Sequence, residues 1–225
     1  MTVINDTFIA PPCSEQIDVL YEDHQIVIIN KPSGLLSLSG KNPANLDSVH
    51  HRLVRDYPGC SLVHRLDFGT SGLMVVARDK QINAALCQQF SARTVTKVYT
   101  ALLAGHLQSP TGCIEAAIAK DPALFPRMVI CEQRGKPARS RYQLMETGYL
   151  AAGLPYSRCE LYPETGRTHQ LRIHCQHFGH PILGCDLYGA DESPSLPRLM
   201  LHASKLAFIH PLSGIALTFD CPPAF

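Results

Sequence analysis

Two short stretches of this chain concentrate the residue types that do chemistry. The first is His64-Arg65-Leu66-Asp67-Phe68-Gly69-Thr70-Ser71-Gly72, an acid between an arginine and a glycine-rich turn. A carboxylate on a loop held by rigid scaffold is a common placement for a nucleophile or general base. The residue types are equally those of a turn closed by an Arg–Asp pair, and Thr70 and Ser71 can satisfy the loop's own backbone. The second is Thr165-Gly-Arg-Thr-His-Gln-Leu-Arg-Ile-His-Cys-Gln-His-Phe-Gly-His-Pro181. Here Arg167, His169, Gln170 and Arg172 gather at the start of a helical pattern. Unsatisfied N–H groups at a helix start favour a phosphate or carboxylate there, and the competing reading is a solvated helix face.

Other chemistries fit less well. His169, His174, Cys175, His177 and His180 are dense, yet the i, i+3 spacing of His174 and His177 only partly matches zinc-ligand patterns, and no metal is expected. Gly69-Thr-Ser-Gly72 is one residue short of the Gly-x-Ser-x-Gly nucleophile elbow. Neither a Walker-type loop nor a Gly-x-Gly-x-x-Gly motif follows a strand, so no nucleotide cofactor is expected. Arg127, Arg134, Lys136, Arg139 and Arg141 make residues 127–141 locally cationic, with Arg93 and Lys97 adding charge upstream. Such a segment suits phosphate contacts, or is simply a solvated face.

The elements that must carry these stretches are legible in outline. Ile26-Val-Ile-Ile29 reads as a strand entering the turn Asn30-Lys-Pro-Ser-Gly34. Residues 46–57 read as a helix capped by Asp47 or Ser48, with Leu46, Val49, Leu53 and Tyr57 on one face. After the loop 63–72, Leu73–Ala77 reads as a buried strand. Asp79 then caps a helix with Ile82, Leu86 and Phe90 on one side. Lys97–Ala104, Arg139–Met145 and Tyr156–Tyr162 read as strands, and 114–141 as turn-rich hairpins. Thr168 is the expected N-cap of the later helix. Leu171, Cys175 and Phe178 form its stripe, and Gly179 is its left-handed terminator. Strands and helices do not alternate strictly, which favours an α+β fold with a mixed or antiparallel sheet. Residues 1–17 read as a loosely held arm and 18–225 as a single catalytic domain.

The chain has 225 residues, 45% hydrophobic and 17% charged, an ordinary globular composition. No apolar run approaches the roughly 20 residues of a membrane helix, and no signal peptide is visible. The nine cysteines are scattered without a Cys-x-x-Cys pair, as expected of small buried residues in a reducing cytoplasm. The net charge of +1 confines any nucleic-acid surface to a local patch.

His64-Arg-Leu-Asp67 with Gly69-Thr-Ser-Gly-Leu73, and Gly166-Arg-Thr-His-Gln-Leu-Arg-Ile-His174, resemble the signatures of the RluA-type RNA pseudouridine synthases. Leu20-Tyr-Glu-Asp23, Ile29-Asn-Lys-Pro-Ser-Gly34, Lys97-Val-Tyr99, Gly135-Lys-Pro-Ala138, His180-Pro-Ile-Leu-Gly184 and Leu201-His-Ala203 are similar to further segments in the same order. The resemblance runs from about residue 18 to the C-terminus, without an S4-type RNA-binding domain. It implies a pseudouridine synthase fold: a mixed, largely antiparallel sheet flanked by helices, with a central RNA-binding cleft. It implies isomerisation of uridine to pseudouridine with no cofactor and no metal. Its small members imply 23S ribosomal RNA and tRNA anticodon stem-loops as substrates, and a monomer.

Residue by residue, it implies Asp67 as nucleophile, Tyr99 as the aromatic packing on the target base and a candidate to take the C5 proton, and Arg172 as the partner of the aspartate. Arg65 would help hold the base out of the stack, and His64, Arg167, His169, Gln170, Arg139 and Lys136 would contact RNA. This chain departs from the family after Gly184, where Cys185 precedes the expected acid, here Asp186. A single-substrate synthase, or a non-catalytic RNA-binding or assembly protein on the same fold, is the alternative.

Overall fold

Backbone pairing is fixed first by the β-branched run at residues 26–29, which the computed structural model buries completely. The structure describes residues 8–189 and 196–225; the first seven residues of the expected arm lie outside them. In chain order the elements are β1 (Asp18–Glu22), β2 (Ile26–Lys31), α1 (Val49–Asp56), β3 (Ser61–Leu62), β4 (Ser71–Ala77), α2 (Lys80–Ser91), β5 (Thr96–Ala104) and β6 (Thr111–Glu115). They continue with β7 (Ile118–Lys120), β8 (Met128–Ile130), β9 (Arg139–Tyr149), β10 (Pro155–Pro163), α3 (Gln170–His177), β11 (Leu201–Ile209) and β12 (Ala216–Asp220). The fold is α+β with mostly antiparallel pairing, as expected.

The chain divides into two units: residues up to Val95 with Leu206–Cys221, and Thr96–Lys205 with Pro222–Phe225. In the first, β2 is antiparallel to both β1 and β4, with Ile26 opposite Ala77 and Lys31 opposite Gly72. Every residue of β4 is buried, so its Leu73-Met-Val-Val sequence is apolar on both faces. The core here is Ile26, Ile28, Leu73, Val75, Ile82, Leu86, Leu206 and Phe208. Asp79 caps α2 as expected, its Oδ1 accepting from Ile82 N at 2.8 Å. Ser48, one of the two expected candidates, caps α1 by accepting from His51 N. The helix is shorter than the reading 46–57: Leu46 lies before the cap and is 55% exposed, so only Val49 and Leu53 of the predicted face are buried. Residues 8–16 have neither helix nor strand, yet Asn45 bonds Phe8 O and Ala10 N, and Arg52 donates to Cys13 O and Glu15 O.

In the second unit the order is β5–β10–β9–β6, with Tyr99 opposite Leu161 and Ser140 opposite Ile114. The predicted hairpin region 114–141 contains the small ladder of β7 with β8. Alternate residues of β10 are buried, and Cys159, Leu161, Leu171, Ile173 and Cys175 join the core. Thus α3 presents Leu171 and Cys175 inward as its stripe predicts, while Phe178 is the partly exposed C-cap. Gly179 follows with φ +85°. The N-cap differs from expectation: it is His169, not Thr168, and it sits at φ 55°, ψ 18°.

Candidate active site

Asp67 lies in the first unit, on the loop between β3 and β4. Its backbone is clamped on both sides by the Lys31–Ser37 turn. Ser37 Oγ donates to Leu66 O at 2.7 Å and accepts from Leu66 N at 3.1 Å. Gly34 N donates to Phe68 O at 3.0 Å, and Ser33 Oγ donates to Gly69 O at 2.7 Å. Thr70 N closes the turn onto Asp67 O at 3.1 Å. Lys31 is fully buried against the same turn, and its ammonium donates to Pro32 O, Leu35 O and Phe68 O at 2.8, 2.7 and 3.2 Å. A buried ammonium needs such partners because an uncompensated charge in the interior is costly. The clamp acts on carbonyls and N–H groups, so it fixes the Asp67 backbone; the Asp67 side chain is half-buried.

Around this loop, His64 is tied to the adjacent strand and helix. Its Nε2 accepts from Val75 N at 3.1 Å and the ring stacks on Phe90 at 4.7 Å. It is thereby a strut between loop and β4. Arg65 is exposed. Phe68 packs edge-on against Phe8, with ring centroids 5.4 Å apart.

Tyr99 and Arg172 lie in the second unit. Tyr99 is half-buried in β5 and packs against the core. Arg172, in the first turns of α3, is held on three sides. Its Nη2 donates to Asp186, its Nε to Cys185 Sγ at 3.3 Å, and its guanidinium lies 5.4 Å from the Tyr188 ring centroid. The Arg172 side chain is 5% exposed and the Asp186 side chain 72%. The displaced acid after Gly184 therefore still reaches the arginine, and the cysteine adds a soft acceptor beside it. Gly184 makes this turn possible: it sits at φ +70°, and a Cβ there would collide with Arg198 O.

The other predicted residues separate by role. Gln170, 4% exposed, accepts from Thr165 Oγ1 and Arg167 N and donates to Arg139 O and Ser140 Oγ. It thus occupies the helix start with its own amide. His169 pairs with the Tyr188 hydroxyl at 2.9 Å. That contact supports a left-handed, non-glycine backbone, a conformation worth about 1–3 kcal/mol of strain. Arg167 Nε donates to Pro137 O at 3.2 Å.

Of the cationic stretch, Arg139 pairs with Glu115 and Glu164, Arg141 with Glu164, and Arg134 with Asp121. These acids neutralise part of the predicted patch, while Lys136 and Arg127 are exposed. Of the histidines that suggested metal, His174 bonds Ser140 Oγ and Ala116 O, and His180 bonds Ala104 O. Lys31 and Tyr188 escaped sequence reasoning. The signal for the first was a lysine at the end of a buried β-branched run; the second is an aromatic between Asp186 and Gly189 in a turn where glycine is required.

The family of RNA pseudouridylate synthases matches residues 25–177. The chain is 42% identical over 216 residues to the Dual-specificity RNA pseudouridine synthase RluA of Salmonella typhi, covering 96% of this chain and 97% of that protein. It is 41% identical over 216 residues to the protein of the same name from Escherichia coli K12, with the same coverage. Among solved structures, Human RNA Pseudouridylate Synthase Domain Containing 1 superposes with a TM-score of 0.80 at 32% identity, over 96% of this chain and 86% of that one. The chain belongs to the RNA pseudouridylate synthase family.

Proposed function

We propose that this chain isomerises specific uridines to pseudouridine in both 23S ribosomal RNA and tRNA anticodon stem-loops. The observation that carries this reading is the 41–42% identity across 96% of the chain to enzymes named dual-specificity RNA pseudouridine synthases. The chemistry breaks the bond from uracil N1 to ribose C1′, turns the base, and joins C5 to C1′. The C5 proton is lost and N1 regains one, so the reaction is redox-neutral and needs no oxidant or reductant.

In this reading Asp67 is the nucleophile, attacking C1′ directly or after the glycosidic bond opens. A clamped backbone suits that role, because a nucleophile held near its attack geometry gains from reduced freedom of approach. Arg172 supplies a positive charge to the reaction. Tyr99 offers a face to the extruded uracil, where stacking is worth roughly 1–3 kcal/mol. Arg65 takes part in holding the base out of the RNA stack. Arg167, Lys136 and Arg139 contribute phosphate contacts, and His169 and Gln170 shape the helix entry beside them. The protein acts as a monomer in the cytoplasm, where its nine free thiols are kept reduced.

The test is chemical mapping of pseudouridine after incubating the purified protein with 23S ribosomal RNA fragments and with tRNA stem-loops. Pseudouridine in both classes is expected. Modification in one class alone would replace dual by single specificity. Binding without modification in either would replace the enzyme by an RNA-binding protein.

A further inference from the structure

Tyr188 is 2% exposed and joins two separate segments of the second unit, the start of β8 and the start of α3. Its hydroxyl accepts from Met128 N at 2.6 Å, the first residue of β8. Having accepted there, it can give its own proton to His169 Nδ1 at 2.9 Å, the residue that opens α3. Its ring lies against the guanidinium of Arg172 at 5.4 Å and that of Arg127 at 5.7 Å. The loop that brings it there is fixed at its far end by Gly189, where a Cβ would meet Cys185 O at 2.5 Å. Arg127 stands at the β8 end of the β7–β8 connection, and Arg134 and Lys136 follow shortly after, all three exposed or nearly so.

We infer that Tyr188 is a positioning residue that joins the cationic β7–β8 hairpin to Arg172 and to the His169 helix entry. Phosphate engaged by the hairpin and the placement of the Arg172 guanidinium are then set by one side chain. The phenol has separable halves. The hydroxyl ties the hairpin to the helix entry, and the ring supports the guanidinium groups. The inference rests on the proposed roles of Arg172 and of the hairpin's cations in RNA modification.

The test compares Tyr188→Phe and Tyr188→Leu in the full chain on a stem-loop that the wild-type protein modifies. Single-turnover rate at saturating RNA is measured together with RNA affinity across a salt series. Tyr188→Phe removes both hydroxyl bonds and keeps the ring. It is expected to weaken RNA binding about fivefold to tenfold while holding the single-turnover rate within about twofold. Its plot of log affinity against log salt should be shallower by about 0.7–0.9, the loss of one phosphate contact. Tyr188→Leu is expected to lower the single-turnover rate at least about tenfold. Wild-type affinity and salt slope in Tyr188→Phe overturn the hairpin link. A wild-type single-turnover rate in Tyr188→Leu overturns the support of Arg172. Arg172→Ala, run in parallel, separates the two readings: full turnover in that variant removes Arg172 from the reaction whatever the tyrosine variants do.

Discussion

The loop that carries Asp67 and the helix that carries Arg172 are built in opposite ways. Around Asp67 the structure grips main chain: a lysine ammonium, two serine hydroxyls and a glycine N–H all act on the backbone of residues 66–69. Around Arg172 it grips side chain: Asp186, Cys185 and Tyr188 all act on the guanidinium. For the nucleophile proposed at Asp67, main-chain restraint fixes position without acting on the carboxylate itself. For the counter-charge proposed at Arg172, restraint applied to the guanidinium fixes the position of the charge. Losing a contact in the first region should therefore act mainly on folding, and in the second mainly on rate.

Arg172→Ala should separate the two regions most sharply. In the role proposed for Arg172, loss of the cation lowers turnover by about a hundredfold or more. Asp186 is already in water, so folding should change by only about 1–2 kcal/mol, chiefly from lost packing. Turnover on a stem-loop and a urea titration of the same sample check both halves. Equal damage to folding would erase the contrast between the regions.

Lys31→Met is the mirror case. It leaves the buried carbonyls of Pro32 and Leu35 without the ammonium, while Phe68 O keeps Gly34 N. A destabilisation of about 3 kcal/mol is expected, at 1–3 kcal/mol for each unsatisfied group. Below the unfolding transition, the single-turnover rate should stay within about threefold of wild type. A hundredfold loss of rate in a folded sample would show that the lysine acts on the chemistry.

A smaller effect belongs to the second region. Burial pushes the His174 imidazole below its ordinary pKa; its bond to the Ala116 carbonyl raises it and nearby His177 lowers it further. The unfolded chain therefore takes up the proton first as pH falls. Stability should decline below the ordinary histidine range and continue down to the folded-state value. His174→Gln should flatten that decline, read as the urea midpoint at neutral and mildly acidic pH. An unchanged slope would place the sensitivity elsewhere.

What the amino-acid pattern disclosed follows the same division. Ile26–Ile29, Leu73–Ala77 and the caps at Ser48 and Asp79 were legible because buried runs and capping residues are local signals. β1 was not, since all of Asp18–Glu22 is exposed and no alternation marks it. β12 was missed although Leu217 and Phe219 alternate with exposed residues, because the run is only five residues long and none of them is fully buried. β11 runs through His202, Ala203, Ser204 and Lys205, residue types of low strand preference that tertiary pairing overrides. Among the proposed site residues, Asp67, Tyr99 and Arg172 stood out by resemblance; residue chemistry alone left Asp67 open between a nucleophile and a turn acid. The His169 cap was hidden because a left-handed histidine is held there by Tyr188, nineteen residues on. The Lys31 clamp was hidden because a lysine ordinarily reads as surface.

The assignment of Asp67 as nucleophile is put at greatest risk by Asp67→Asn, which keeps shape and removes the charge. Pseudouridine formation on a stem-loop that the wild-type protein modifies should fall below detection, while RNA affinity and the urea midpoint remain near wild type. Near-normal pseudouridine formation by a folded Asp67→Asn protein would show that the carboxylate does not attack.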